Sequence, residues 1–167
     1  MKKVLFYCLF ILFSCNNRAE YKNNLNQLKS LVEDINDCFI DSTQACFEIS
    51  DYYTNDFIFH SYPAGNKKGI ETDRFEYIQT FNEMKRMNMS INIGHSIYLP
   101  GIDKETHQLD GSVRVYYGAT ISIDTISVDF SAYQTVDFRD GRISEIWEWA
   151  DYGGVSNQLN ESNIEID

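Results

Sequence analysis

Thr125-Ile126-Ser127-Val128-Asp129-Phe130-Ser131-Ala132-Tyr133-Gln134-Thr135-Val136-Asp137-Phe138 is the stretch on which the fold class turns. Ile126, Val128, Phe130, Ala132, Val136 and Phe138 occupy every second position, and Gln134 is the single polar member of their row. Successive side chains of a strand point to opposite faces, so this alternation predicts a long strand with one buried face.

The same period extends on both sides. Asp140-Gly141 is a hairpin signal, and Arg142 to Asp151 reads as the closing strand. Upstream, Val113, Val115, Tyr117, Ala119, Ile121 and Ile123 alternate, as do Ile91, Ile93, His95, Ile97 and Leu99. Gly118 sits mid-strand, where a bend is tolerated. Before this meander the period is that of helices. Tyr21, Leu25, Leu28, Val32, Ile35 and Phe39 form one helical face. Asp41-Ser42-Thr43 is a capping cluster between that helix and a second one carrying Ala45, Cys46, Ile49 and Tyr53. A short strand at Phe57-Ile58-Phe59-His60 and a turn at Tyr62-Pro63-Ala64-Gly65-Asn66 follow. A third helix, capped by Thr72, carries Phe75, Ile78, Phe81 and Met84. Helices grouped ahead of four long antiparallel strands predict an α+β domain, a strongly bent sheet packed on three N-terminal helices.

The chain has 167 residues and a net charge of −11. An acidic surface opposes nucleic acid, whose binding needs cationic side chains against phosphates. Lys2-Lys3, the uncharged run Val4 to Phe13 and Ser14 read as an export signal, too short to span a bilayer. Leu12-Phe13-Ser14-Cys15 resembles the lipobox of bacterial lipoproteins, in which the cysteine is acylated. That resemblance implies a signal peptide at 1–14, lipidation of Cys15 and a location in the bacterial cell envelope. A tether at 15–20, roughly 17 Å if extended, would then lead into a domain at 21–154 and a loose polar tail at 155–167. Removing 1–14 takes two lysines and no acid, so the body becomes more acidic still and membrane attachment falls to the lipid alone. Cys38 and Cys46 remain, either bridged or as two buried thiols.

Three stretches resemble the nuclear-transport-factor-2-like superfamily, in particular its SnoaL-like branch. They are Asp51-Tyr52-Tyr53-Thr54-Asn55-Asp56-Phe57-Ile58-Phe59-His60; Gly69-Ile70-Glu71 with the helix holding Phe75; and Val136 to Ile143, continuing through Trp147-Glu148-Trp149-Ala150-Asp151. The resemblance implies a cone-shaped cystatin-like roll, often dimeric through the open face of its sheet. Its members include cyclases, isomerases, hydratases, hydrolases and pure binding proteins, so fold does not choose a function.

Glu148 shares the phase of Ile146 and Ala150, which the family fold points into the cavity. A carboxylate between aromatic walls suits a general base. His95 is a second acid/base candidate, being in the apolar row of its strand. Gln134 is expected as a ligand contact, or as an amide satisfied by a neighbouring strand; in the resemblance it lies near the oxyanion-stabilising acid of ketosteroid isomerases. The base position of those isomerases falls near Ser61-Tyr62, which has no carboxylate. Tyr53 and Tyr117 are expected to line the pocket, His60 its mouth, and Asp151 either the site or the turn before Gly153. Trp147, Trp149, Tyr133 and Arg114 then face the other way, as an interface would. Arg114 as a pocket cation remains open. No His-x-His or His-x-x-x-His occurs, and His107 lies in a loop, so no metal site is expected. Nor is a cofactor. The sequence supports a lipid-anchored, small-molecule-binding domain, with an enzyme of the cyclase, isomerase or hydratase kind and a homodimeric or other protein-interaction module as alternatives.

Overall fold

Alternation over β5 (Ile126–Arg139) and β4 (Leu109–Ile123) sets the frame of the molecule. A computed structural model describes residues 2–40, 49–63 and 65–161 and, within them, all side chains except those of 2–16, 49–50 and 160. Val113, Val115, Tyr117, Ala119, Ile121 and Ile123 are all buried, as are Val128, Ala132 and Val136. Burial of such side chains contributes on the order of 1.5–3 kcal/mol each. Asp124 and the pair Asp140-Gly141 take positive φ, so tight turns join β4 to β5 and β5 to β6 (Arg142–Ala150).

Six strands form one strongly curved, unclosed sheet in the order β2-β1-β6-β5-β4-β3. β1 (Tyr53–Ser61) runs parallel to β6, and the other pairings are antiparallel, including short β2 (Ile70–Asp73) on β1 and β3 (Met89–Ile102) on β4. Three helices cover the concave face: α1 (Lys2–Ile40), α2 (Arg74–Arg86) and α3 (Tyr152–Glu161). The expected α+β cone is therefore present, and among the described residues α3 follows the sheet. Among the described residues no helix is long and apolar enough to cross a membrane.

Several details differ from expectation. Most of the second helix lies outside the described residues, as does Cys46. Ile49–Tyr52 is a single 3-10 turn and Tyr53, wholly buried, opens β1. Cys38 is disulfide-bonded, with a partner outside the described side chains. The cap of α2 is Asp73, whose carboxylate accepts from the Glu76 amide, while Thr72 belongs to β2. The tail at 155–161 is helical, because Val155 and Leu159 bury one stripe of α3 against Ile121, Ile123 and Val128.

α1 is held by side chain as well as by core contacts. Leu28, Leu31 and Ile35 are buried under it. Asn24 Nδ2 donates to Gly111 O at 2.9 Å, and Asn17 Nδ2 donates to Leu109 O at 3.0 Å. Gly111 has φ +83°, and a Cβ there would meet the Glu20 carboxylate at 3.1 Å, so only glycine suits this contact. Residues 17–20, within the stretch expected as a tether, are helical, and Asn17 is docked on β4. Asn36 pairs with both backbone groups of Ile93, donating to its carbonyl at 2.8 Å and accepting from its amide at 2.7 Å. Just beyond that pair, the register of β3 on β4 slips between Ile93 and Ser96.

Candidate functional site

The slip in β3 decides which residues reach the interior. A bulge inverts the alternation beyond it. Ile91 and Ile93 face inward before it, Ser96 and Tyr98 after it. His95 is therefore exposed on the outer face, and Ile97 and Leu99 are about half exposed there. The acid/base role expected of His95 has no access to the interior.

Between sheet and helices lies a cavity of about 260 Å³, near the lower end of the ~300–1,000 Å³ common for ligand sites. Leu28, Val32 and Ile35 of α1, Phe81 and Met84 of α2, and Ile93, Val115 and Ile146 of the sheet make most of its wall apolar. Val32, Met84 and Tyr98 are half-buried and Thr80 exposed, so the cavity opens where α1, α2 and β3 meet.

Its polar groups converge on Glu148, which is 2% exposed. Register on β5 places Glu148 directly opposite Gln134, and Gln134 opposite Val115 on β4, one strand position pair from Tyr117. Glu148 Oε2 accepts from Gln134 Nε2 at 2.6 Å and from the Tyr117 hydroxyl at 2.8 Å. Its Oε1 accepts from the Tyr152 hydroxyl at 2.7 Å. A buried carboxylate without such donors would be very costly, and each is worth ~1.5–3 kcal/mol as a bond to a charged group. Burial, then the negative charge of Glu148, pushes the phenols of Tyr117 and Tyr152 well above their usual value. Tyr77 is raised by the same two causes in the same order. These phenols keep their protons at neutral pH and remain donors.

Of the residues singled out from sequence, the structure brings Glu148, Gln134, Tyr117 and Tyr53 to this one cavity. Gln134 is satisfied by the neighbouring strand, as one of its two readings had it, and it lines the cavity as well. Besides His95, two others are not there. Phe59 points inward, so the next residue, His60, points outward, with its ring stacked 3.9 Å from that of Trp147 and its nitrogens 3.4 and 3.7 Å from Glu145 and Glu71. Asp151 is exposed and accepts from the Gly154 amide, which makes it the cap of α3. Tyr152 and Tyr77 were not singled out at all. Tyr152 was hidden by the Gly153-Gly154 pair, which reads as a stop; the Val155–Leu159 spacing was the available sign of a helix.

Trp147, Trp149, Tyr133 and Arg114 do occupy the outer face. Tyr62 stacks on Trp149 at 5.0 Å, Trp149 meets Tyr133 at 5.6 Å, and Tyr133 meets Tyr116 at 4.6 Å. This aromatic row crosses β6, β5 and β4, with Trp149 and Tyr116 43% and 50% exposed. Among the described residues no group of histidine, cysteine, aspartate or glutamate could hold a metal ion.

No family profile and no curated protein matches the chain in sequence. Solved structures do match in shape. The phenazine biosynthesis-related protein PhzB2 of Pseudomonas aeruginosa is 9% identical, with a TM-score of 0.63 over 91% of this chain and 92% of its own. An NTF2-like protein from Anabaena variabilis is 16% identical, with a TM-score of 0.55 over 77% and 89%. A candidate polyketide cyclase from Silicibacter is 12% identical, with a TM-score of 0.54 over 78% and 93%. At these identities the likeness is one of fold, the nuclear-transport-factor-2-like cone.

Proposed function

We propose that this chain is a membrane-tethered binding protein whose cone encloses a small, largely apolar organic molecule. The observation that carries the reading is the apolar cavity with a single buried carboxylate, Glu148, at its polar end. Neighbours of the same fold bear names from polyketide cyclisation and phenazine biosynthesis, which agrees with a pocket for ring-bearing molecules. N-phenyl-1-naphthylamine, a neutral probe that fluoresces in apolar sites, tests this reading. Saturable emission on adding protein is expected, together with a melting shift from at least some members of a metabolite panel. No emission and a flat panel would overturn it.

The tether is proposed from Leu12-Phe13-Ser14-Cys15. With Asn17 already docked on Leu109, a lipid on Cys15 would leave almost no slack, and the β3–β4 end of the domain would rest near the bilayer. Cys15→Ser should free the protein from membranes; retention would place the anchor elsewhere.

A second reading, catalysis, is favoured by one feature. Glu148 is a base candidate, a buried carboxylate at the polar end of the cavity, held in place by the hydroxyls of Tyr117 and Tyr152. Glu148→Gln should then abolish any turnover found, and surviving turnover would remove Glu148 as the base. A homodimer is proposed through the outer aromatic row, because Trp149, Tyr116, Ile97 and Leu99 leave apolar surface open there. Light scattering should give twice the monomer mass for the parent chain and a lower mass for Trp149→Ala. Equal masses would count against that interface.

A further inference from the structure

Glu148 has room for one more hydrogen bond. A carboxylate offers about four lone-pair sites, two per oxygen. Among the described residues Oε2 is filled by Gln134 and Tyr117, whereas Oε1 accepts from Tyr152 alone. The donors around it are committed, so a ligand that only accepts hydrogen bonds finds few hydrogens to receive. The Tyr53 hydroxyl, fully buried on the same cavity beside that of Tyr77, adds a second polar point to the wall.

Among the described residues that line the cavity the charge has one sign: none is lysine, arginine or histidine, and Glu148 is the only acid. An anionic ligand would place like charges together in a medium of low dielectric, which is strongly unfavourable. The walls add attraction for the opposite sign. Tyr53, Phe59, Tyr77, Phe81, Tyr98 and Tyr117 supply aromatic rings, whose faces attract cations. At the rim, Lys29 Nζ already sits 5.3 Å from the centre of the Tyr98 ring, on a residue that is not part of the lining. The net charge of −11 raises the concentration of cations near the molecule.

We propose that the cavity selects a small hydrophobic amine in its ammonium form, its N–H donating to Glu148 Oε1 and its hydrocarbon body against the aromatic and aliphatic wall. This rests on the binding reading above and narrows it to one ligand class. Charge assistance makes such a bond shorter and stronger than one from a neutral hydroxyl. The desolvation of the ammonium group is offset by the carboxylate facing it.

Three compounds of one shape test the inference by calorimetry near neutral pH: 1-naphthylmethylamine, 1-naphthylmethanol and 1-naphthoate. The amine should bind about tenfold or more tighter than the alcohol, and the naphthoate weakest of the three. In Glu148→Gln the preference of amine over alcohol should fall to within about threefold. The first ratio is read on the unaltered protein, so the test stands even where the variant fails to fold. An amine preference below tenfold, or one that Glu148→Gln leaves intact, would overturn the inference while leaving the pocket reading in place. If none of the three binds, the inference falls, while the pocket reading is decided by the fluorescent probe and the metabolite panel.

Discussion

The two faces of one sheet carry similar chemistry to opposite ends. Residues 146, 148 and 150 of β6 point into the cone, and 147 and 149 point out of it. On the inner face, Glu148 is buried under the helices and its carboxylate accepts from Gln134, Tyr117 and Tyr152. On the outer face, Trp147 and Trp149 stack with His60, Tyr62 and Tyr133 and remain partly open to water. The inner face is a site that must be satisfied by the fold itself. The outer face is a surface that the fold tolerates without needing it.

That contrast predicts unequal costs. The largest belongs to Glu148→Ala, which strands the hydroxyls of Tyr117 and Tyr152 and the amide of Gln134 in the interior. At ~1–3 kcal/mol for each orphaned buried donor, a loss of about 3 kcal/mol or more is expected in urea unfolding. A loss under about 1 kcal/mol would show that Glu148 is solvated, and the two faces would no longer differ. Leu159→Ala comes next. It empties the anchor of α3, 1% exposed, for about 2–3 kcal/mol, and loosens the helix that carries Tyr152 over the cavity. Apolar probe binding should weaken with it.

The smallest effect is expected outside. Asp137 faces Glu145 across the strands, near Asp110, Arg114 and His60, and its carboxyl is raised above the usual value by burial first and by Glu145 second. A carboxyl raised on folding favours the folded state most below its unfolded value of 3.8, and that stability is lost as pH rises through the folded value. Asp137→Asn should therefore raise Tm at neutral pH by ~1–3 °C and lose that advantage in acid. An equal gain at all pH values would mean that the effect is not one of charge.

How legible these faces were in the sequence differed from strand to strand. In β4 and β5 the alternation is unbroken, so Tyr117 and Gln134 could be assigned to the inner face. Glu148 followed from its phase with Ile146. In β3 the same reading failed at Gly94-His95, where the register slips between Ile93 and Ser96. Asn36, far away on α1, takes both backbone groups of Ile93 and stands in for a missing strand at the sheet edge. His60 failed for a different reason. Its strand holds Phe57, Ile58 and Phe59 in a row, and only the register on β6 says which of them faces in. α3 was missed because two glycines and a polar tail outweighed one apolar pair, whose value appears only once β4 and β5 are there to receive it. With α3 went Tyr152, the donor to Glu148 Oε1.

β3 also offers the sharpest test of the central claim, that the concave face and not the outer one is the binding surface. Ile93 lines the cavity and Ile97 stands half exposed on the outer face of the same edge strand. N-phenyl-1-naphthylamine fluorescence would be titrated against Ile93→Trp and Ile97→Trp side by side. Ile93→Trp should fill the cavity and abolish saturable emission, while Ile97→Trp should bind as the parent chain does. Equal binding by both variants, or loss with Ile97→Trp alone, would contradict that claim.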